Sequence, residues 1–175
     1  MKIGLCGTMS VGKTTLVNAL KELEEFRGYI TRTERSQYLM SMGIPLNTDS
    51  TLKGQTIFLA ERASELMNKA IITDRTVLDV MAFAHCSNSM NYVEKENFIQ
   101  LAASLIHEYD YIFYVSPEGV DIEDNGIRET DAEYRKAIDK KIKSLIQMFR
   151  GNTITIKGTV EERIKQVKNT VAQYV

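Results

Sequence analysis

The chain is short of several things, and each shortage excludes a class of protein. It has two cysteines, Cys6 and Cys86, too few for a disulfide framework or a metal cage by themselves; Cys6 is expected as buried packing in the first strand. It has two prolines and no low-complexity stretch. No linker is therefore expected, and the 175 residues are read as a single domain, 1–175, with room for a sizeable core. The net charge of −1 gives no bulk attraction to nucleic acid or to a membrane surface. No apolar run is long enough to cross a bilayer, and the N-terminus lacks a signal-peptide pattern, so a cytoplasmic location is the expectation. His85 and His107, the two histidines, stand apart in expected helices and are read as partly buried or surface residues, not as ligands or bases.

What is present is concentrated near the N-terminus. Gly7-Thr8-Met9-Ser10-Val11-Gly12-Lys13-Thr14 fits G-x-x-x-x-G-K-S/T, the phosphate-binding loop. Lys2 to Cys6 before it reads as a buried strand, and Leu16, Val17, Leu20 and Leu23 after it recur at helical spacing. Glycines at 7 and 12 let the backbone curl round an anion, and the helix N-terminus adds partial positive charge. Backbone groups from Gly7 to Thr15, including Ser10, Val11 and Gly12, are expected to hold phosphates. Lys13 would reach the β- and γ-phosphates and Thr14 would place its hydroxyl on Mg²⁺; the side chains of Met9 and Val11 carry no assigned role.

Strands and helices alternate along the rest. Strands are expected at 28–31, 70–73, 111–115 and 153–156. Helices are expected at 52–70, with Leu59, Leu66 and Met67 among its apolar positions, and at 94–108, with Phe98, Leu101 and Ile106 on one face. A short helix and then a loop are expected over 36–51. Capping boxes at Thr76–Asp79, Thr130–Glu133 and Thr159–Glu162 open three further helices. Alternation of this kind implies an α/β parallel sheet covered on both faces, with phosphate sites at the carboxyl ends of its strands. Tyr109, Tyr111 and Tyr114 are read as core and strand residues.

Several charged residues fall at such ends. Asp74 closes an apolar strand and could hold Mg²⁺ directly or through water; the alternative is a turn aspartate. Arg75 could clamp an acceptor phosphate or hydroxyl, or pair with Asp74. Arg32, Glu34 and Arg35 form either an acceptor site, with Glu34 as general base, or a solvated charge run. Gln55 is either a donor to a base or sugar, or a surface helix residue. Arg128 and Arg135 could spread charge on a transferring phosphoryl group from a mobile loop, with Asp124-Asn125-Gly126 supplying its turn; the alternative is pairing with Glu129 or Asp131.

These residues resemble the small-molecule kinases of the phosphate-loop class. The motifs GTMSVGKTT, ITDRTVLDVMAFAH, DNGIRETDAEYR and KGTVEER are similar to the AAA-type family that includes the ribosylnicotinamide kinase domain of NadR-like proteins and phage-encoded members. They are also similar to thymidylate and other nucleoside monophosphate kinases. The resemblance implies a phosphate-loop NTPase sandwich with five parallel strands in the order 2-3-1-4-5. It also implies use of ATP and Mg²⁺, a lid near residues 117–135, and an adenine site at Lys157-Gly158-Thr159. Arg75 would then touch acceptor and donor phosphates, with Arg128 and Arg135 as lid arginines. Homodimers are common among such kinases. The region 28–56 lacks the proline-glycine-rich loop of thymidylate kinases.

The expected reaction is transfer of the γ-phosphoryl group of ATP to a small nucleoside-type acceptor. A (deoxy)nucleoside monophosphate is favoured, because of Asp74-Arg75 and the arginines near the acceptor side. A nucleoside, nicotinamide riboside included, is the alternative. An ATPase or nucleotide-binding switch is a further alternative. No Asn-Lys-x-Asp guanine motif is present, and the near-zero charge gives no support for a polynucleotide substrate.

Overall fold

The computed structural model describes residues 1–33, 35–118, 132–149 and 151–172. The chain runs through β1 (Lys2–Cys6), α1 (Lys13–Lys21), β2 (Ile30–Arg32), α2 (Ser36–Ser41), α3 (Leu52–Glu65) and β3 (Ile71–Asp74). It continues through α4 (Val77–His85), α5 (Tyr92–Ala103), β4 (Tyr111–Val115), α6 (Ala132–Phe149), β5 (Thr153–Ile156) and α7 (Val160–Val171). The strands form one sheet in the order β2-β3-β1-β4-β5, every neighbouring pair parallel. This is the order expected from the sequence.

The pleat sorts strand side chains between two cores. Tyr111, Phe113 and Val115 of β4 join Ile3 and Leu5 against α1 and α7. Ile112 and Tyr114 point the other way, with Cys6, into the larger core under α3, α4, α5 and α6. Burying one Leu or Ile side chain fully contributes about 1.5–3 kcal/mol, so these two faces supply the main stabilisation of the sheet.

Helix starts follow their caps. Thr51 Oγ1 accepts from Gly54 N–H at 3.2 Å to open α3. The boxes at Thr76–Asp79 and Thr159–Glu162 form as expected. A further box, Asn91 with Glu94, starts α5 two residues before the expected position. The box at Thr130–Glu133 lies outside the described residues. Two helices are shorter than their apolar spacing implied. α3 ends at Glu65, where Asn68 donates from its side chain to Glu65 O at 2.9 Å; Met67, beyond the end, is 84% exposed. The 94–108 segment breaks after Ala103, where Ser104 Oγ bonds back to Leu101 O at 2.7 Å, and resumes as a short 3-10 turn at Ile106–Glu108. Leu101 is exposed, since the buried stripe of α5 runs through Phe98, Ile99 and Ala102.

With β1 central, its carboxyl end opens between β3 and β4. Leu5 of β1 lies in register with Asp74 of β3, which brings the expected phosphate loop beside the Asp74-Arg75 pair. The approach is close: a Cβ on Gly4 would lie 2.4 Å from Thr76 Cγ2, so only glycine lets the start of α4 sit this near β1.

Candidate active site

The loop between β1 and α1 is wound by three residues in left-handed or related conformations, Gly7 (φ 148°), Ser10 (φ 57°) and Gly12 (φ 82°). A Cβ at Gly7 would stand 2.7 Å from the Val115 carbonyl oxygen. Arg163 of α7 is buried and donates from Nη1 to Val11 O at 2.6 Å. It braces the loop from behind by engaging a carbonyl. Lys13 is buried, and its Nζ donates to Gly7 O at 2.7 Å and to Thr8 O at 2.8 Å, which holds the ammonium within the curl. Burial pulls the Lys13 pKa below the usual lysine value, with the Arg75 charge acting the same way and Asp79 and Asp74 opposing.

The Thr14 hydroxyl donates to the Asp74 carboxylate, although 60 residues separate them in the chain. A hydroxyl and a carboxylate converging beside a phosphate loop are hard oxygen donors of the kind Mg²⁺ takes, so the pair fits the ion. Thr15 is exposed on α1, and the Val11 side chain is buried in the core below the loop.

Arg75 has φ 100°, a conformation that a side-chain-bearing residue rarely adopts. Its backbone is fixed from both sides: its N–H donates to Leu5 O at 2.9 Å and its carbonyl accepts from Thr73 Oγ1 at 2.9 Å. The strained turn aims the guanidinium over the Phe83 ring, 4.8 Å from its centroid, a favourable cation–π distance. Strain of this kind collects at functional sites.

Beyond Arg75 opens a pocket lined by Ser36, Leu46, Asn47, Gln55, Phe58, Arg75, Val80 and Phe83. Two helices supply its walls by the same spacing, Gln55 and Phe58 from α3 and Val80 and Phe83 from α4. Gln55 is buried here, so it faces the pocket and not the surface. Aromatic walls with a few polar groups are what a small planar ligand needs.

The flanking arginines lie elsewhere. Arg32 is exposed at the end of β2. Arg35 is exposed too, its Nη1 3.2 Å from Glu61 Oε1 and its guanidinium 4.3 Å from the Tyr38 ring centroid. Neither belongs to the described pocket lining. Glu34, Arg128 and most of the expected lid, residues 119–131, lie outside the described residues. Arg135 is described, in the first turn of α6. Its carbonyl accepts from Thr8 Oγ1 at 3.2 Å, and its Nε and Nη2 are buried with no hydrogen-bond partner among the described residues. α6 is held further along by Asp139, which accepts from Tyr114 Oη at 2.5 Å and pairs with Lys143 Nζ at 2.8 Å. Lys157 and Gly158 are exposed at the rim of an open hollow shared with Glu118, Glu162, Lys165 and Gln166.

Sequence reasoning missed Phe58, Phe83 and Asn47 as pocket residues, because each reads as core or turn until α3 and α4 are packed together. It also missed Arg163, although the KGTVEER motif contains it, and saw Asp79 only as a cap.

The fold is shared with solved kinases. A deoxyadenosine kinase from M. mycoides with the products dCMP and a flexible dCDP superposes with a TM-score of 0.69 at 17% identity, covering 100% of both chains. The dATP-bound form gives 0.67 at 18%, covering 98% of this chain and 100% of that one. The dCTP-bound form gives 0.64 at 18%, covering 99% and 100%. Among curated proteins none matches the sequence significantly. A family model described as an AAA domain matches residues 2–163, nearly the whole chain, and the protein belongs to that family.

Proposed function

We propose that the protein is an ATP-dependent kinase that phosphorylates a nucleoside. The observation that carries this reading is the pocket walled by Phe58 and Phe83, with Gln55 and Arg75 in its lining; the Arg75 N–H also donates to Leu5 O of β1, the strand that leads into the phosphate loop. A base between aromatic walls would meet the Gln55 amide, which can donate and accept, and its sugar would lie toward Arg75. The likeness to deoxyadenosine kinases in fold supports the same choice.

In this reaction the acceptor hydroxyl oxygen bonds to the γ-phosphorus, the bond to the β–γ bridging oxygen breaks, and ADP leaves. The hydroxyl proton passes to a carboxylate, for which Glu34 is the candidate. Lys13 and Arg135 would take the charge that develops on the phosphoryl oxygens, and Arg75 would hold the acceptor end. Thr14 and Asp74 would hold Mg²⁺, which would supply positive charge to offset that of the phosphates. Lys157 and Gly158 would border the adenine.

A monophosphate acceptor is the second reading. It rests on Arg75, which a phosphate could engage with paired hydrogen bonds. It gains less from Arg32 and Arg35, which lie outside the pocket lining. The test is ADP release from ATP and Mg²⁺ across nucleosides, deoxynucleosides, nicotinamide riboside and the common monophosphates. Stimulation by a nucleoside, lost in Gln55→Ala through a higher KM, is expected. Stimulation by monophosphates alone selects the second reading, and no stimulation by any acceptor overturns both in favour of a nucleotide-binding switch.

A further inference from the structure

Asp79 is wholly buried and stands between the two halves of the site. Its Oδ1 accepts from Gly7 N–H at 3.0 Å, at the start of the phosphate loop. Its Oδ2 accepts from Thr76 N–H at 2.7 Å and from Thr76 Oγ1 at 3.0 Å, closing the N-terminus of α4. A capping box needs only the second set of bonds. The first ties the loop to the helix that follows Asp74-Arg75 and carries Val80 and Phe83 into the pocket. The same carboxylate therefore touches the donor-side loop with one oxygen and the acceptor-side helix with the other. A buried carboxylate is tolerated only where such bonds are made, so moving either segment breaks them.

We propose that Asp79 is a positioning residue that holds the phosphate loop and α4 at a fixed separation, so that the transferring phosphoryl group and the acceptor hydroxyl meet in line. This rests on the kinase reading. Asp79 touches neither substrate; it sets the distance between their sites. Phosphoryl transfer draws its rate from positioning and electrostatics, so the loss should appear in turnover and not in binding.

The test compares two variants. Asp79→Asn is nearly isosteric, but its single acceptor oxygen cannot serve Gly7 N–H and Thr76 N–H on opposite sides. Thr76→Val weakens the cap and leaves Asp79 on Gly7. Steady-state constants, thermal midpoints and amide hydrogen exchange of α4, with and without a non-hydrolysable ATP analogue, are measured for both and for the wild type. Asp79→Asn is expected to lose kcat by about a hundredfold, the usual cost of a displacement of about 1 Å, with both KM values little changed. Thr76→Val is expected to lower the thermal midpoint and keep kcat. The analogue should slow exchange in α4 of the wild type and not of Asp79→Asn.

Wild-type kcat in Asp79→Asn overturns the proposal, as does an equal kcat loss in Thr76→Val, which would mark a purely structural cap. The wild-type exchange measurement needs no variant: no slowing in α4 overturns the proposal even if Asp79→Asn fails to fold. A wild type that phosphorylates no acceptor refutes the kinase reading instead, and the exchange data still decide whether Asp79 links loop to helix.

Discussion

Lys13 sits buried in the curl of the loop, bonded to the Gly7 and Thr8 carbonyls, with charges of both signs acting on its ammonium. Burial and the Arg75 charge lower its pKa, while a bound triphosphate would favour the protonated form. Nucleotide binding should therefore take up protons as pH rises through the lowered value toward the usual lysine value, and affinity should fall across that window. Calorimetry in buffers of different ionisation enthalpy reads this directly; Lys13→Met should abolish the uptake, and none at any alkaline pH would refute the assignment. The unliganded chain should gain stability through the same window, because the unfolded lysine binds more protons there than the folded one. Lys13, Thr14, Asp74 and Arg75 were legible in the sequence because a loop of fixed length or a strand end dictates their positions. The bond from Asp79 to Gly7 was not, because it depends on how close Gly4 lets α4 approach β1.

At the scale of elements, the pocket depends on a turn fastened to the far end of α4. Asn88 N–H donates to Thr48 O at 2.7 Å, Ser87 Oγ to Ser50 O at 2.5 Å, and Ser89 Oγ to Asp49 O at 3.2 Å. This turn begins at Asn47, whose φ of 55° turns the chain beside the pocket that Leu46 and Asn47 line. Ser87 is buried, and Ser87→Ala removes a hydrogen bond from a buried carbonyl, a loss of about 1–3 kcal/mol. Denaturant melts should show that loss. Kinetics should show a raised KM for the acceptor with KM for ATP unchanged; equal KM values in variant and wild type would mean the turn does not shape the pocket. Apolar spacing revealed the helices themselves, but not that α3 stops at Glu65 or that α5 breaks at Ser104, since both ends are set by polar side chains bonding back to carbonyls.

For the whole molecule, the parallel order gathers the phosphate loop, the end of β3 and the first turn of α6 at one edge of the sheet. A nucleotide bound there would touch segments from both halves of the chain and stabilise them together. ATP with Mg²⁺ at about one hundred times its dissociation constant adds about 2.7 kcal/mol, or about 5–10 °C in thermal midpoint for a chain of this size. Scanning calorimetry with ATP should show that rise with Mg²⁺ present and a smaller one with a chelator; an identical shift in both would remove Thr14 and Asp74 as an ion site.

The amino-acid sequence by itself determined the phosphate loop, the alternation that makes a parallel sheet, and the order of its elements. Each of these follows from residues close together in the chain: glycine spacing, apolar periodicity and caps. Tertiary structure alone decided that Gln55 faces inward with Phe58 and Phe83, that Arg35 turns to Glu61, and that Asp79 joins loop to helix. Those outcomes depend on the packing of α3 and α4 against the sheet, and no local pattern encodes the distance between segments far apart in sequence.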